Sequence, residues 1–388
     1  MEDIVRGTAN LMPPASLITD AEMELRAEVR AFIAERRAGG RHVWAVDSWL
    51  SSWDEDFSRE LAARGWVGMT VPVEYGGHGR TFTERFAVVE ELLAAGAPVA
   101  AHWIADRQIA PSLLKFGTEE QKRAYLPHIA AGESYWGIGM SEPNAGSDLA
   151  SVRTRAERVD GGWTITGNKV WTSGAHRAHA FIVLARSAPL DPEHRHAGLS
   201  QFIVELAQDG VEVRPIVSMN GDQHFNEVFL DEVFVPDSRV FGEVGQGWQQ
   251  VTSELGFERS GPERVLSTFP LLTEIVQNAA EGRLDVDADL GRLVARVTGL
   301  HQMSMAVSGA LQRGEPADVP AAVVKVMGTT TEGDVADYAD LLLGDGSDVT
   351  NELRRLTTQG VDQRPGFTLR GGTNEVLRGV IARGLGLR

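Results

Sequence analysis

The stretch SELGFERSGPERV, Ser253 to Val265, sets three carboxylates and two guanidiniums in a segment with helical spacing, until Gly261-Pro262 interrupts it. A carboxylate presented from a helix can act as a general base if it is desolvated. Glu258 is the candidate. Glu254 stands one turn earlier on the same face, and like charges at that spacing raise each other's pKa. That suits a base and weakens an ordinary surface. Glu258 and Arg259 are adjacent, so their side chains diverge by about 100° and do not naturally pair. The plainer reading is a surface acid paired with Arg259 or Arg264, and Glu254 and Glu263 are the alternative bases.

Three further stretches could bind a ligand. WGIGMSEPNAGSDLASV carries glycines at 137, 139 and 146, which let a backbone approach a flat or phosphorylated group. Ser141 and Ser147 add hydroxyls, and amides in such a turn can hold an anion. A plain strand-to-turn connection reads equally well. GNKVWTSGA offers an aromatic wall, Trp171, beside the hydroxyls of Thr172 and Ser173. A tryptophan in a strand usually belongs to a core. TLRGGTNEVLRGVIARGLGL pairs two glycines with Thr373-Asn374-Glu375 and an amphipathic run, so Thr373 reads as a helix N-cap, with or without a ligand at that helix end.

Other chemistries lack support. No GxGxxG follows a strand, and there is no HExxH or GxSxG. GWTITGNK has Asn168 where a phosphate loop needs glycine before lysine. The pairs His176/His179 and His194/His196 have no third metal ligand nearby, so no metal is expected. The chain has no cysteine, which removes disulfides, thiolate catalysis and thiolate-bound metals. A net charge of -17 argues against nucleic-acid or anionic-membrane partners, which need clustered cations. The start, MEDIVRGTAN, is polar and acidic, and LLAAGAPVAAHWIA is too short and broken to span a bilayer. A cytoplasmic protein is expected.

The elements that must position these residues fall into three textures. With 388 residues, two or three domains are expected. Residues 1–131 read as a helical domain, in AEMELRAEVRAFIAERR and TERFAVVEELLAAG, with Thr118 and Gln121 opening a further helix as a capping box. VPVEYGGHGRT reads as a long connection. Residues 132–240 read as strands, in GWTITGNKVWTS, AFIVLAR, LSQFIVEL, VEVRPI and NEVFLDEVFVP. Their even spacing without helices predicts an antiparallel β-barrel or sandwich. Residues 241–388 return to long amphipathic helices and predict a bundle.

MSEPNAGSD, GNKVWTSGA, GFERSGPERV and LRGGTNEVLRGVIAR, in this order and spacing, resemble the acyl-CoA dehydrogenase family of flavoproteins. The resemblance covers nearly the whole chain and agrees with a helical domain, a central β-barrel domain and a C-terminal helical bundle. It implies FAD as cofactor and oxidation of an acyl-CoA thioester to its 2,3-enoyl form. By the same resemblance, Met140, Ser141, Gly146 and Ser147 would line the flavin and its phosphates. Trp171 would lie against the ring, Ser173 would hydrogen-bond near N5, and Thr373 and Glu375 would reach the cofactor from the last helix.

Many members carry the base just before the Gly-Thr of the last motif, where this chain has Gly371. Branched-chain and some long-chain members carry it in a Leu-Glu-Arg on the bundle's first helix, matched here by Phe257-Glu258-Arg259. The resemblance therefore implies Glu258 as base, Gly371 as an amide donor to the carbonyl and Arg259 as a substrate contact. It also implies an electron-transferring flavoprotein as acceptor and a homodimer or homotetramer. The pattern departs in two places. AAEGRLDVDADLGR replaces the family's Arg-x-x-Phe-Gly, and LLLGDGSDVTNELRR replaces its Gln-x-x-Gly-Gly-x-Gly loop. Both serve the ADP half of the cofactor, for which Arg283 is a substitute. The alternatives are a same-fold flavoenzyme acting on a carrier-protein thioester or a non-CoA substrate, and a non-catalytic subunit of a heteromeric enzyme.

Overall fold

The computed structural model describes residues 11–259, 261–343 and 348–387, with the side chains of 254–259 outside the description. The chain gathers into two compact units. One holds residues up to Trp53, Arg80–Val99 and Glu258–Arg388; the other holds Asp54–Gly79 and Ala100–Phe257.

The first unit is helical. Helix α1, Asp20–Gly39, starts at a capping box in which Thr19 and Glu22 satisfy each other's backbone N–H, and it ends at left-handed Gly40. It is followed by the single turn α2, Ser48–Ser51, and by α4, Phe82–Ala94, which opens with a second capping box, Thr81 and Glu84. Arg26 and Arg30 of α1 converge on Glu91 of α4, fixing the two helices side by side. The long helices α9 (Phe269–Ala280), α10 (Ala288–Gln312), α11 (Asp318–Leu342), α12 (Asn351–Phe367) and α13 (Asn374–Gly384) form the bundle the sequence predicts. Helix α12 went unrecognised in the sequence. Gly360, Pro365 and Gly366 interrupt its pattern, while Leu353, Leu356 and Phe367 bury its apolar face.

The second unit packs helices on a sheet. Its helices are α3 (Glu55–Ala63), α5 (Ala100–Ile104), α6 (Ala110–Phe116), α7 (Glu119–Ala130) and the leading part of α8 (Gly247–Arg259). A π turn, Ala105–Ile109, joins α5 to α6. The strands are β1 (Trp136–Gly139), β2 (Arg155–Val159), β3 (Gly162–Lys169), β4 (Ala180–Arg186), β5 (Leu199–Glu205), β6 (Val211–Ile216), β7 (Phe225–Pro236) and β8 (Val240–Phe241). Thr118 and Gln121 open α7 as the sequence predicts, and the buried Gln121 amide also donates to Ser238 O and Val240 O, tying helix to sheet.

The predicted antiparallel barrel is corrected to an open mixed sheet, ordered β6-β7-β3-β2-β4-β5-β8, with β1 parallel to β4. β2 also meets β4 in parallel, through Arg155 opposite Arg186 alone. Alternation reports which residues of a strand face a core; it does not report closure. β6 carries Pro215, whose missing N–H suits an edge, and β8 has only two residues, so the two ends are poor partners for each other. β4 is buried on both sides. Phe181, Val183 and Ala185 face one apolar cluster of the sheet, whereas Ala180 and Ile182 face Leu113, Leu126 and Ile129 of the helices.

Candidate active site

In the second unit, the segments around Met140 and Trp171 are joined by one buried lysine. Lys169, the last residue of β3, donates from Nζ to Met140 O and to Glu142 Oε1, both at 3.0 Å. Val170 N–H donates to Ser141 O at 2.9 Å, so the two motifs run side by side. Glu142 also accepts from the amides of Arg153 and Thr154, at 2.7 and 2.8 Å. Burial would raise the Glu142 carboxyl, but Lys169 and these amides outweigh it and hold the pKa below the usual value. For Lys169, burial outweighs the attraction of Glu142 and lowers the ammonium to about 8. Sequence reading missed both residues. The only hint was a Glu and a Lys inside the two motifs, 27 positions apart, and no local period links them.

Between Glu142 and Ala145 the chain makes a tight turn closed by two reciprocal backbone hydrogen bonds. It leaves Ser141 half-buried and Gly146 and Ser147 exposed. Met140 packs against a cluster containing Val152, Leu184 and Val251. The glycines of this segment divide in two. A Cβ on Gly139 would lie 2.5 Å from the Phe181 ring, and one on Gly137 3.3 Å from Thr172 Cγ2, so both glycines make room for the protein's own packing. Only Gly146 has open space around it, with nothing within 4 Å. The sequence expectation that all three admit a ligand is therefore corrected for 137 and 139.

Trp171 lies beyond the end of β3 and is not a core residue. It is 57% exposed and holds a left-handed backbone, φ 61°, which is unfavourable for a non-glycine residue by roughly 1–2 kcal/mol. Phe225 supports its ring edge-on at 5.6 Å. The strain is held in place by the next residues: Thr172 N–H donates to Asn226 O, Asn226 Nδ2 donates to Thr172 O, and Gly174 N–H donates to His224 O. Ser173, half-buried, lies within this tied segment. Thr172 is fully buried, and its Oγ1 has no hydrogen-bond partner among the described residues. Strained backbone beneath an exposed aromatic is characteristic of a binding surface.

In the first unit, Gly371 and Gly372 both have positive φ, 67° and 82°, which favours residues without a Cβ. Thr373 follows as the N-cap of α13, its hydroxyl accepting from Val376 N–H at 3.3 Å. Glu375 is exposed in the first turn. Its carboxyl is held below the usual range by its own backbone N–H and by the Thr373 hydroxyl. Glu258 and Arg259 stand in the last turn of α8, and their side chains lie outside the described residues, as does that of Glu254. Glu263 is 1% exposed in the turn Pro262–Arg264, and a Cβ on Gly261 would fall 2.0 Å from its Oε2. Its side chain is fully buried. Arg283 pairs with Glu281 at the surface, at 2.8 Å.

Residues 19–133, 137–233 and 276–386 match, in turn, the N-terminal, middle and C-terminal domains of acyl-CoA dehydrogenase. The chain belongs to the acyl-CoA dehydrogenase family. It is thus an oxidoreductase of a flavoprotein family. Acyl-CoA dehydrogenase IpdE1 of Mycolicibacterium smegmatis is 34% identical over 94% of this chain and 97% of its own length. Acyl-CoA dehydrogenase FadE34 of Mycobacterium tuberculosis is 35% identical over 84% of this chain, which spans only 45% of that protein. Among solved structures, the "Tcur3481-Tcur3483 steroid ACAD" aligns with a TM-score of 0.83 at 31% identity, covering 96% of this chain and 98% of that one. An exposed indole on a strained turn, followed by half-buried Ser173, and the open space at Gly146 fit the ring of a flavin in this acyl-CoA dehydrogenase family member.

Proposed function

We propose that the chain oxidises an acyl-CoA thioester to the trans-2-enoyl-CoA, with Glu258 as the base. The observation that carries this reading is the glycine pair at 371–372. The family's other base position has no side chain here, and Glu258, on the last turn of α8, is the carboxylate that replaces it. In the reaction two C–H bonds break and a C=C bond forms. Glu258 takes the α-proton. The Gly371 N–H donates to the thioester carbonyl oxygen, where negative charge develops, and such a donor contributes about 3 kcal/mol in a dry site. FAD, when bound, would supply the two-electron acceptor for the β-hydrogen, which leaves as hydride. Trp171 would form the wall behind the flavin ring, and Ser173 would hydrogen-bond to it. By the family resemblance, Met140, Ser141, Gly146 and Ser147 would line the flavin and its phosphates, Thr373 and Glu375 would reach the cofactor, and Arg259 would contact substrate.

The acyl group we infer is bulky and polycyclic or branched. Support comes from the base position on α8 and from likeness to a protein described as a steroid enzyme, at 31% identity over nearly the full length of both chains. Electrons then pass to an electron-transferring flavoprotein. The test is to purify the chain, record its visible flavin band and add short, branched and steroid-side-chain acyl-CoA thioesters without oxygen. Bleaching by the bulky thioesters supports the reading, and bleaching by none of them overturns it.

A second reading is favoured by the same relative, whose description joins two components. The chain would then be one subunit of a heteromer. A folded but colourless protein that gains flavin only with a partner subunit would support it over a homo-oligomer.

A further inference from the structure

Arg370 immediately precedes the two left-handed glycines, and its guanidinium is held by a single buried carboxylate. Asp47 is fully buried and accepts from Arg370 Nη1 and Nη2, at 2.5 and 3.1 Å. The arginine is further enclosed by the rings of Trp49 and Phe367, at 5.1 and 5.5 Å, and its Nε donates to Gly366 O. On the other side of the glycines, fully buried Lys325 donates from Nζ to Gly372 O at 2.8 Å, Asn374 Oδ1 at 2.9 Å and Thr368 O at 3.1 Å. A fully buried lysine and a partly buried arginine therefore bracket Gly371 and Gly372.

Asp47 stands where an aspartate ordinarily caps a helix. It is the N-cap of α2, but its side chain makes no capping hydrogen bond. Its backbone is left-handed instead, φ 56°, with its N–H donating to Ser267 O. A carboxylate used for capping would favour an extended backbone and an exposed position. Here it is taken out of water, on an unfavourable backbone, and directed to Arg370. An ion pair of this kind adds little net stability over apolar packing, but removing one partner leaves the other charge stranded.

We propose that Asp47 is a positioning residue: through Arg370 it fixes the direction in which the Gly371 N–H points. This rests on the reading of Gly371 as donor to the thioester carbonyl. Two successive glycines bring no side chains to this turn, so contacts from neighbouring residues contribute to holding it, as Lys325 does at Gly372 O. Lys325 ties Thr368 O to Gly372 O and Asn374 Oδ1, and the Asp47–Arg370 pair holds the residue directly before Gly371.

Asp47→Asn tests this without imposing backbone strain, because asparagine tolerates the left-handed region. Amide hydrogen exchange is followed in the full-length flavin-loaded protein, beside turnover of a bleaching thioester. The expected result is about tenfold faster exchange confined to residues 369–374, with the other bundle helices unchanged. kcat is expected to fall about a hundredfold with KM within about twofold, as for a misplaced catalytic donor. Arg370→Lys keeps the charge but loses the two-pronged contact, and is expected to loosen the same segment. Wild-type exchange at 369–374 in both variants overturns the proposal, as does loosening spread evenly over the bundle. A wild-type protein that bleaches with no thioester, yet shows local loosening in Asp47→Asn, supports the clamp while removing the assigned reaction.

Discussion

Lys169 Nζ and Glu142 Oε1 meet at 3.0 Å with both side chains almost wholly buried, and this contact ties the two motif segments of the sheet unit into one surface. The lysine also holds Met140 O, so its three protons have little freedom. Breaking a buried pair by removing one partner costs about 3–5 kcal/mol. Lys169→Met is therefore expected to lower unfolding stability by about that amount and to release flavin. Glu142→Gln in the same background should restore part of the loss, since the stranded charge is then gone. Urea denaturation of the two single variants and the double variant checks this.

Two buried groups give the stability profile a defined shape in pH. Burial raises the Glu332 carboxyl from 4.5 to about 8, with the Ser267 N–H opposing and Asp47 adding to the rise. Between those values the folded protein holds a proton that the unfolded chain releases, so stability falls as pH rises from about 4.5 to about 8. Lys169 is lowered from 10.5 to about 8. There the unfolded chain binds the extra proton, so stability rises from about pH 8 to about 10.5. A dip near pH 8 is expected from the pair. Glu332→Gln, which can still accept from Ser267, should match the wild type near pH 4.5 and exceed it by a few kcal/mol near pH 8, at about 1.4 kcal/mol per unit. Equal stability of variant and wild type near pH 8 would contradict this.

Trp171 separates folding from binding. Trp171→Gly relieves a left-handed tryptophan and should leave the flavin-free protein as stable as the wild type or more so, by roughly 1 kcal/mol. Flavin affinity should fall, because the ring removed is exposed and, among the described residues, is supported edge-on by Phe225. Thermal melts without flavin, beside fluorescence titration with FAD, distinguish the two effects.

The glycines around the same turn should behave differently. Gly139→Ala drives a methyl into Phe181 and is expected to cost about 1–3 kcal/mol of fold stability. Gly146→Ala meets nothing of the protein within 4 Å, so its fold stability should stay at the wild-type level while flavin binding weakens. If Gly146→Ala instead destabilised the flavin-free protein as much as Gly139→Ala, the division drawn between the two glycines would be wrong.

What was legible in the sequence was local. β6 is found as Val211–Ile216, where VEVRPI was expected, and Thr118–Gln121 caps its helix, because strand alternation and capping are written within a few neighbouring residues. Trp171 could be singled out by type, but its exposure and its strain could not, since the contacts that hold its turn come from Asn226 and His224, at and just before the start of β7, more than fifty residues away in sequence. Sheet closure was misread because pairing is a long-range property, and β1 runs parallel to β4 across more than forty residues of chain. The buried charges Asp47, Lys169, Lys325 and Glu332 resemble surface residues in sequence. Only their folded neighbours reveal them as internal supports.

The most direct measurement is anaerobic reduction of the bound flavin in Glu258→Gln. With a thioester that bleaches the wild type, the variant is expected to keep its flavin and its affinity for the thioester. Its reduction rate should fall by about 10²–10⁴-fold, the range for loss of a general base. Bleaching at the wild-type rate would contradict the assignment, and with it the idea that a carboxylate on α8 replaces the one missing at Gly371.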